Sequence, residues 1–150
     1  MRFLLDTHVW RWTPASLQRI RADTRALLAA PENSLLLSAA SSREIAIKYR
    51  LGKLPLPEPP ARFIPPRLVR DGIEPLSVER HHAQAVADLP MHHADPFDRL
   101  LIAQARIEGL ILVTAEPKLA AYVVELRLIS AGPPRPWVRR LQSAARVPRL

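Results

Sequence analysis

Short apolar runs punctuate this chain at intervals that leave room for a helix between one run and the next. Phe3 to Leu5, Leu35 to Leu37, Ile73 to Leu76, Leu110 to Val113 and Leu126 to Ile129 each have the length and composition of a buried strand. The intervening segments carry a helical period. Ser16 to Ala29 places Leu17, Ile20, Thr24, Leu27 and Leu28 on one stripe, and Ser42 to Leu51 carries Ile45, Ala46, Ile47 and Tyr49 before Gly52 stops it. Ser77 to Leu89, Pro96 to Glu108 and the short Pro117 to Tyr122 complete the helical set. Strands separated in this way cannot pair as hairpins. They predict an α/β fold with a central, mainly parallel sheet of about five strands, covered by helices in a three-layer arrangement. "LPLPEPP" from Leu54 to Pro60 is unsuited to regular structure, and Pro65 with Pro66 weakens any helix across Phe63 to Val69. The α/β pattern spans residues 1–131. Residues 132–150, "GPPRPWVRRLQSAARVPRL", form a basic extension, either a short amphipathic helix on Trp137, Leu141 and Ala145 or an unstructured tail.

Charge and cysteine content narrow the function. Lys and Arg number 22 against 14 acids, a net charge of +8, which favours a polyanionic partner such as nucleic acid. With no cysteine there is no disulfide, no thiolate zinc site and no thiol nucleophile. The apolar start "MRFLLDTHVW" is broken by Asp6, and no apolar run approaches the ~20 residues of a membrane span. The expectation is a cytoplasmic protein with no membrane partner.

Acids stand where a parallel sheet binds its ligands, outside the carboxyl ends of the strands. Asp6 follows the first strand, Thr114 and Glu116 follow the fourth, Glu44 lies in the first turn of the helix after the second, and Asp98 lies in the first turn of the Pro96 helix. Each has a structural explanation as well. Asp95 is a good N-cap, Pro96 suits the first helical position, and Asp98 at the third favours the helix dipole. Glu44 has capping-box spacing from Ser41, and Glu116 precedes Pro117 as a turn residue would. Asp6 ends a buried strand with no adjacent turn signal, so it calls for a partner. Several carboxylates at one edge repel each other unless a cation sits between them, and oxygen donors suit Mg²⁺ or Mn²⁺. His81, His82, His92 and His93 fall in adjacent pairs without zinc-ligand spacing, whereas His8 is close enough to Asp6 to orient it. Thr7, Ser38 and Thr114 lie near the same edge and are candidates to position water. Arg43, Arg99 and Thr114 are candidates for contacting substrate. A covalent phosphohydrolase built on Asp6 would want a second aspartate two residues on, where His8 stands instead.

Four blocks, "LLDTHVW", "LSAASSREIAIKYRLGKLPLP", "HHADPFDRLLIAQA" and "LILVTAE", occur in the order and spacing of the PIN domain family. Over roughly residues 2 to 130 the chain resembles that family, specifically the VapC-type toxins of toxin-antitoxin pairs. The resemblance implies a Mg²⁺- or Mn²⁺-dependent endoribonuclease, with Asp6, Glu44 and Asp98 as metal-binding and catalytic residues and Glu116 as a fourth catalytic acid. It also implies a homodimer, an RNA substrate and a small cognate antitoxin. The chain departs from the pattern at several points. Glu116 stands where aspartate is usual, and Arg43 replaces a usual tryptophan. The segment after Trp10 is short, Pro65 and Pro66 interrupt a normally helical region, and the arginine-rich end extends past the usual last strand. The longer Glu116 side chain leaves a catalytically weakened RNA-binding module as the alternative.

Overall fold

The computed structural model describes residues 1–12, 20–92, 94–116 and 126–128. Five strands form one sheet: β1 (Arg2–Leu5), β2 (Ser34–Ser38), β3 (Ile73–Leu76), β4 (Ile111–Thr114) and β5 (Leu126–Leu128), in the order β3-β2-β1-β4-β5. Every pairing is parallel, with Leu4 opposite Leu36 on one side and Leu112 on the other. Helices α1 (Thr7–Trp12), α2 (Ala22–Ala29), α3 (Ala39–Arg50), α4 (Pro60–Asp71), α5 (Arg80–Ala85) and α6 (Pro96–Glu108) lie between the strands, with a 3-10 turn at Val86–Asp88 after α5. The expected helix at Pro117 to Tyr122 and the basic extension lie outside the described residues.

Side-chain alternation along the strands divides the core into two layers. Phe3 and Leu5 pack on one face with Val9 and Trp10 of α1, Ile45 of α3 and Ile64 of α4. Leu4 and Leu112 face the other way, against Leu101, Ile102 and Ala105 of α6 and Leu89. The three-layer expectation holds. Because β1 is flanked by β2 and β4, the chain's crossovers run outward in opposite directions from β1 and β4. Their carboxyl ends therefore mark the switch-point crevice, the place at which such sheets bind ligands.

The expected helix from Ser16 to Ala29 is helical only over Ala22–Ala29 among the described residues, the one from Ser77 to Leu89 narrows to Arg80–Ala85 and the turn after it, and three more boundaries differ for a visible reason. A helix begins at Thr7 directly after β1, where only a strand end was expected, because the Asp6 carboxylate accepts the His8 amide at 2.9 Å and so caps α1. Helix α3 starts at Ala39, with Ser38 as its N-cap accepting the Ala40 amide at 3.0 Å. Ser41 therefore sits inside the helix and no capping box with Glu44 forms. The third concerns α4, which runs through Pro65 and Pro66. Those prolines remove the bonds that would reach the carbonyls of Ala61 and Arg62, and all four residues are exposed, so water takes the place of the missing donors. Pro60 at the first turn needs no donor, while Phe63, Ile64 and Leu68 hold the inner face against the core.

Candidate metal centre

Asp6 occupies the head of the crevice between β1 and β4. Its carboxylate is 3% exposed and each oxygen has a defined donor. Thr114 Oγ1 at the end of β4 donates to Oδ2 at 2.6 Å, and the His8 amide donates to Oδ1 at 2.9 Å, with His8 Nδ1 3.4 Å from the same oxygen. Burial alone would push the Asp6 carboxyl up. The hydrogen bonds from the His8 ring, the Thr114 hydroxyl and the His8 amide outweigh it, and the net shift is below the ordinary carboxylate value. His8 moves oppositely: its hydrogen bond to Asp6 raises it, burial opposes, and the Asp6 and Glu44 charges raise it further. Glu44 therefore acts on the same imidazole as Asp6. The two acids share one electrostatic neighbourhood.

Glu44 projects from the second turn of α3, buried to 4% exposure, with Lys48 Nζ 2.7 Å from Oε1. Thr7 ties this helix to α1 by donating to Ser41 Oγ at 2.9 Å. Asp98 is the third residue of α6. Asp95 caps that helix, accepting the Phe97 amide at 2.9 Å and the Asp98 amide at 3.0 Å, with Pro96 in the first turn and Gly109 closing the far end in the left-handed conformation. The Arg43 guanidinium lies 5.7 Å from the Phe97 ring centroid, so the residues preceding Glu44 and Asp98 meet across the α3–α6 contact. Glu116 is half-buried, its amide donating to Thr114 Oγ1 at 3.0 Å.

Two residues expected to contact substrate have other tasks. Thr114 is fully buried, and its hydroxyl both donates to Asp6 and accepts from the Glu116 amide. Arg99 is 7% exposed, with Nη1 donating to Pro90 O at 2.9 Å and Nη2 donating to Val86 O and Leu89 O, each at 3.1 Å. It fastens the turn before the α6 N-terminus to α6 itself. A cation followed by an apolar run does not reveal in sequence that its fork will be spent on backbone carbonyls. Ser38 likewise turns inward, donating to Gln104 Oε1 at 2.5 Å, while Gln104 Nε2 donates to Ser77 O at 3.0 Å. Arg43 stays exposed.

The oxygen-only donor set at this edge fits a hard divalent cation, and the buried Asp6 and Glu44 already recruit His8 and Lys48 as positive neighbours. Among the described residues, Asp6, Glu44 and Asp98 do not close to a mutual spacing of 4.8 Å; the group that does is His81, His82 and Glu108. Proximity in that group has another cause. The Glu79 amide donates to His82 Nδ1 at 2.9 Å, so Nε2 carries the ring proton and donates to Glu108 Oε1 at 2.6 Å. His82 is 1% exposed and both its nitrogens are spent. This cluster braces α5 on α6. The sequence did not foreshadow it, because Glu108 lies 26 residues beyond His82.

The solved structures that this fold resembles include VapBC2 from Rickettsia felis bound to a DNA fragment from their promoter, with a TM-score of 0.66, 17% identity, and coverage of 87% of this chain and 100% of that one. DNA-bound VapBC from Salmonella typhimurium matches with a TM-score of 0.61 and 17% identity over 85% and 97% of the respective chains. In sequence, Ribonuclease VapC16 of Mycobacterium tuberculosis (strain ATCC 25618 / H37Rv) is 58% identical over 60 residues, 40% of this chain. That match spans 43% of the relative's own length. A family model for the PIN domain matches residues 3–124, and the chain belongs to the PIN domain family.

Proposed function

We propose that this protein is the toxin of a toxin-antitoxin pair, an endoribonuclease that hydrolyses RNA phosphodiester bonds with Mg²⁺ or Mn²⁺ held by Asp6, Glu44 and Asp98, and with Glu116 as a supporting acid. One observation carries the reading: two buried acids, Asp6 at the end of β1 and Glu44 on the helix that follows β2, are 3% and 4% exposed near the carboxyl edge of a parallel sheet. Buried acids so placed need a cation, and the 60-residue likeness to a protein named as a ribonuclease agrees with nuclease chemistry. A bound divalent ion supplies water activation near neutral pH and offsets the charge that builds on phosphate. The chain's own residues do the rest. Thr114 fixes one oxygen of Asp6, and His8 fixes the other. Asp95 aims the first turn of α6, and Arg99 secures the turn behind it. The net charge of +8 draws the polyanionic substrate to the surface.

The expected partners are RNA, a second copy of the chain and a small antitoxin that blocks the acidic edge; the structural neighbours are VapBC proteins. No helix among the described residues is long and apolar enough to cross a membrane. The cytoplasm, where RNA is found, is the expected compartment.

The test is incubation of antitoxin-free protein with total bacterial RNA in Mn²⁺ or Mg²⁺, with EDTA and Asp6→Asn controls and sequencing of new ends. Discrete ends that vanish in both controls support the nuclease. Glu116, one methylene longer than the family's usual aspartate, favours the second reading, a weakened RNA-binding module. Salt-sensitive RNA binding without metal-dependent ends would select it.

A further inference from the structure

Glu44 and Lys48 are one turn apart on α3, but they are not an ordinary surface pair. Two solvated ends in the i and i+4 positions contribute little. Here the Glu44 side chain is 5% exposed and the Lys48 side chain 37%, so the ammonium, 2.7 Å from Oε1, closes the solvent side of a buried carboxylate. Lys48 therefore lies at the solvent rim of the acidic group.

We infer that Lys48 is a resident counter-cation of the acidic centre and, once displaced, a phosphate ligand for the RNA backbone. The inference rests on the reading of Asp6, Glu44 and Asp98 as the metal-binding set. In the metal-free protein Lys48 neutralises Glu44. A divalent ion on that carboxylate carries twice the charge and repels the ammonium, whose four-carbon stem lets it swing outward without disturbing α3. The direction open to it is solvent, where the substrate arrives. A compact ammonium beside a metal-held phosphodiester then binds the neighbouring anionic oxygen as a point charge. Lys48 thus opposes metal entry and favours substrate.

These two effects have opposite signs, and a helix-stabilising pair alone would produce neither. The test compares the full chain with Lys48→Met, which keeps the stem, and Lys48→Arg, which keeps the charge, after circular dichroism shows that each is folded. Titration calorimetry with Mn²⁺ alone is expected to show tighter binding to Lys48→Met, by about threefold or more, and parent-like binding to Lys48→Arg. In cleavage kinetics the Lys48→Met loss is expected to fall on KM, about tenfold, more than on kcat, and Lys48→Arg is expected to recover most of it. Unchanged or weaker Mn²⁺ binding to Lys48→Met, or an unchanged KM, would overturn the inference. Asp6→Asn and Glu44→Gln proteins separate the two levels: if they bind Mn²⁺ as the parent does, the metal-site reading itself fails. If they lose Mn²⁺ while Lys48→Met matches the parent, only the role of Lys48 fails.

Discussion

Replacing Thr114 with valine removes one hydroxyl and almost no volume, and the structure says what that hydroxyl does. It donates to Asp6 Oδ2 at 2.6 Å, with Thr114 fully buried and Asp6 3% exposed, and it accepts the Glu116 amide at 3.0 Å. A short hydrogen bond to a charged, buried acceptor contributes about 1.5–3 kcal/mol, and its loss leaves an oxygen that water cannot easily reach. Taking ~2 kcal/mol and about 2–4 °C per kcal/mol for a domain of this size, the melting temperature in EDTA should fall by roughly 4–8 °C. Asp6 should also lose part of the stabilisation that holds its carboxyl below the ordinary value, since the Thr114 bond is among the causes. If Asp6 is a metal ligand, releasing the group that orients it should weaken Mn²⁺ binding by about 10- to 100-fold. Thr114→Ser keeps the hydroxyl and should retain most of both properties. Differential scanning calorimetry and Mn²⁺ titration read the two quantities separately. A Thr114→Val protein within 1 °C of the parent, binding Mn²⁺ equally well, would refute the argument that this bond sets the position of Asp6.

Asp98→Asn should abolish metal-dependent cleavage while moving the melting temperature only slightly, because Asp95 still caps α6 and the lost dipole interaction is worth about 0.3–1 kcal/mol; a cleaving Asp98→Asn protein would remove Asp98 from the metal set. Arg99→Met should behave in the opposite way, with a clear loss in urea stability of roughly 2 kcal/mol or more as the Pro90, Val86 and Leu89 carbonyls each lose the guanidinium. A normal urea midpoint with weakened RNA binding would instead place Arg99 on the substrate. For the metal-free protein, pH dependence follows from the Asp6–His8 pair. Asp6 is lowered, so its contribution is present above about pH 3.9 and lost as pH falls through its folded value; His8 is raised, so its contribution is present below about pH 6.5 and lost as pH rises through its folded value. Thermal unfolding in EDTA should therefore show the parent losing stability as pH rises above about 6.5, and His8→Gln losing less over the same rise. A flat parent curve would count against the pairing.

The parts of this molecule that were legible in the sequence are those whose cause is local. Asp95, Pro96 and Gly109 mark the ends of α6 by capping chemistry, and the structure has them in those roles. The apolar runs disclosed β1 and β4 because those two strands are buried on both faces, with Phe3 and Leu5 in one layer and Leu4 and Leu112 in the other. What stayed hidden depends on partners brought from elsewhere. Asp6 does double duty as the cap of α1, which is invisible when the apolar run before it reads only as a strand end. Pro65 and Pro66 argue against a helix on propensity, yet the packing of Ile64 and Phe63 on the core overrides two missing hydrogen bonds that face water. Thr114 and Arg99 looked available as donors to a ligand because sequence cannot show that the Asp6 carboxylate and three carbonyls claim them first.

The bond between Thr114 and Asp6 joins residues 108 positions apart, through strands that are neighbours in the sheet. Asp6 is synthesised 108 residues before Thr114, so a growing chain carries this carboxylate through all of that interval without its donor from β4. Until β4 lies beside β1, that carboxylate is an ordinary solvated acid with no fixed direction. The centre thus depends on β4: partly made chains that lack it possess Asp6, Glu44 and Asp98 but not the bond that orients Asp6. Whatever chemistry the centre performs therefore becomes available only after β4 has been made and has paired with β1.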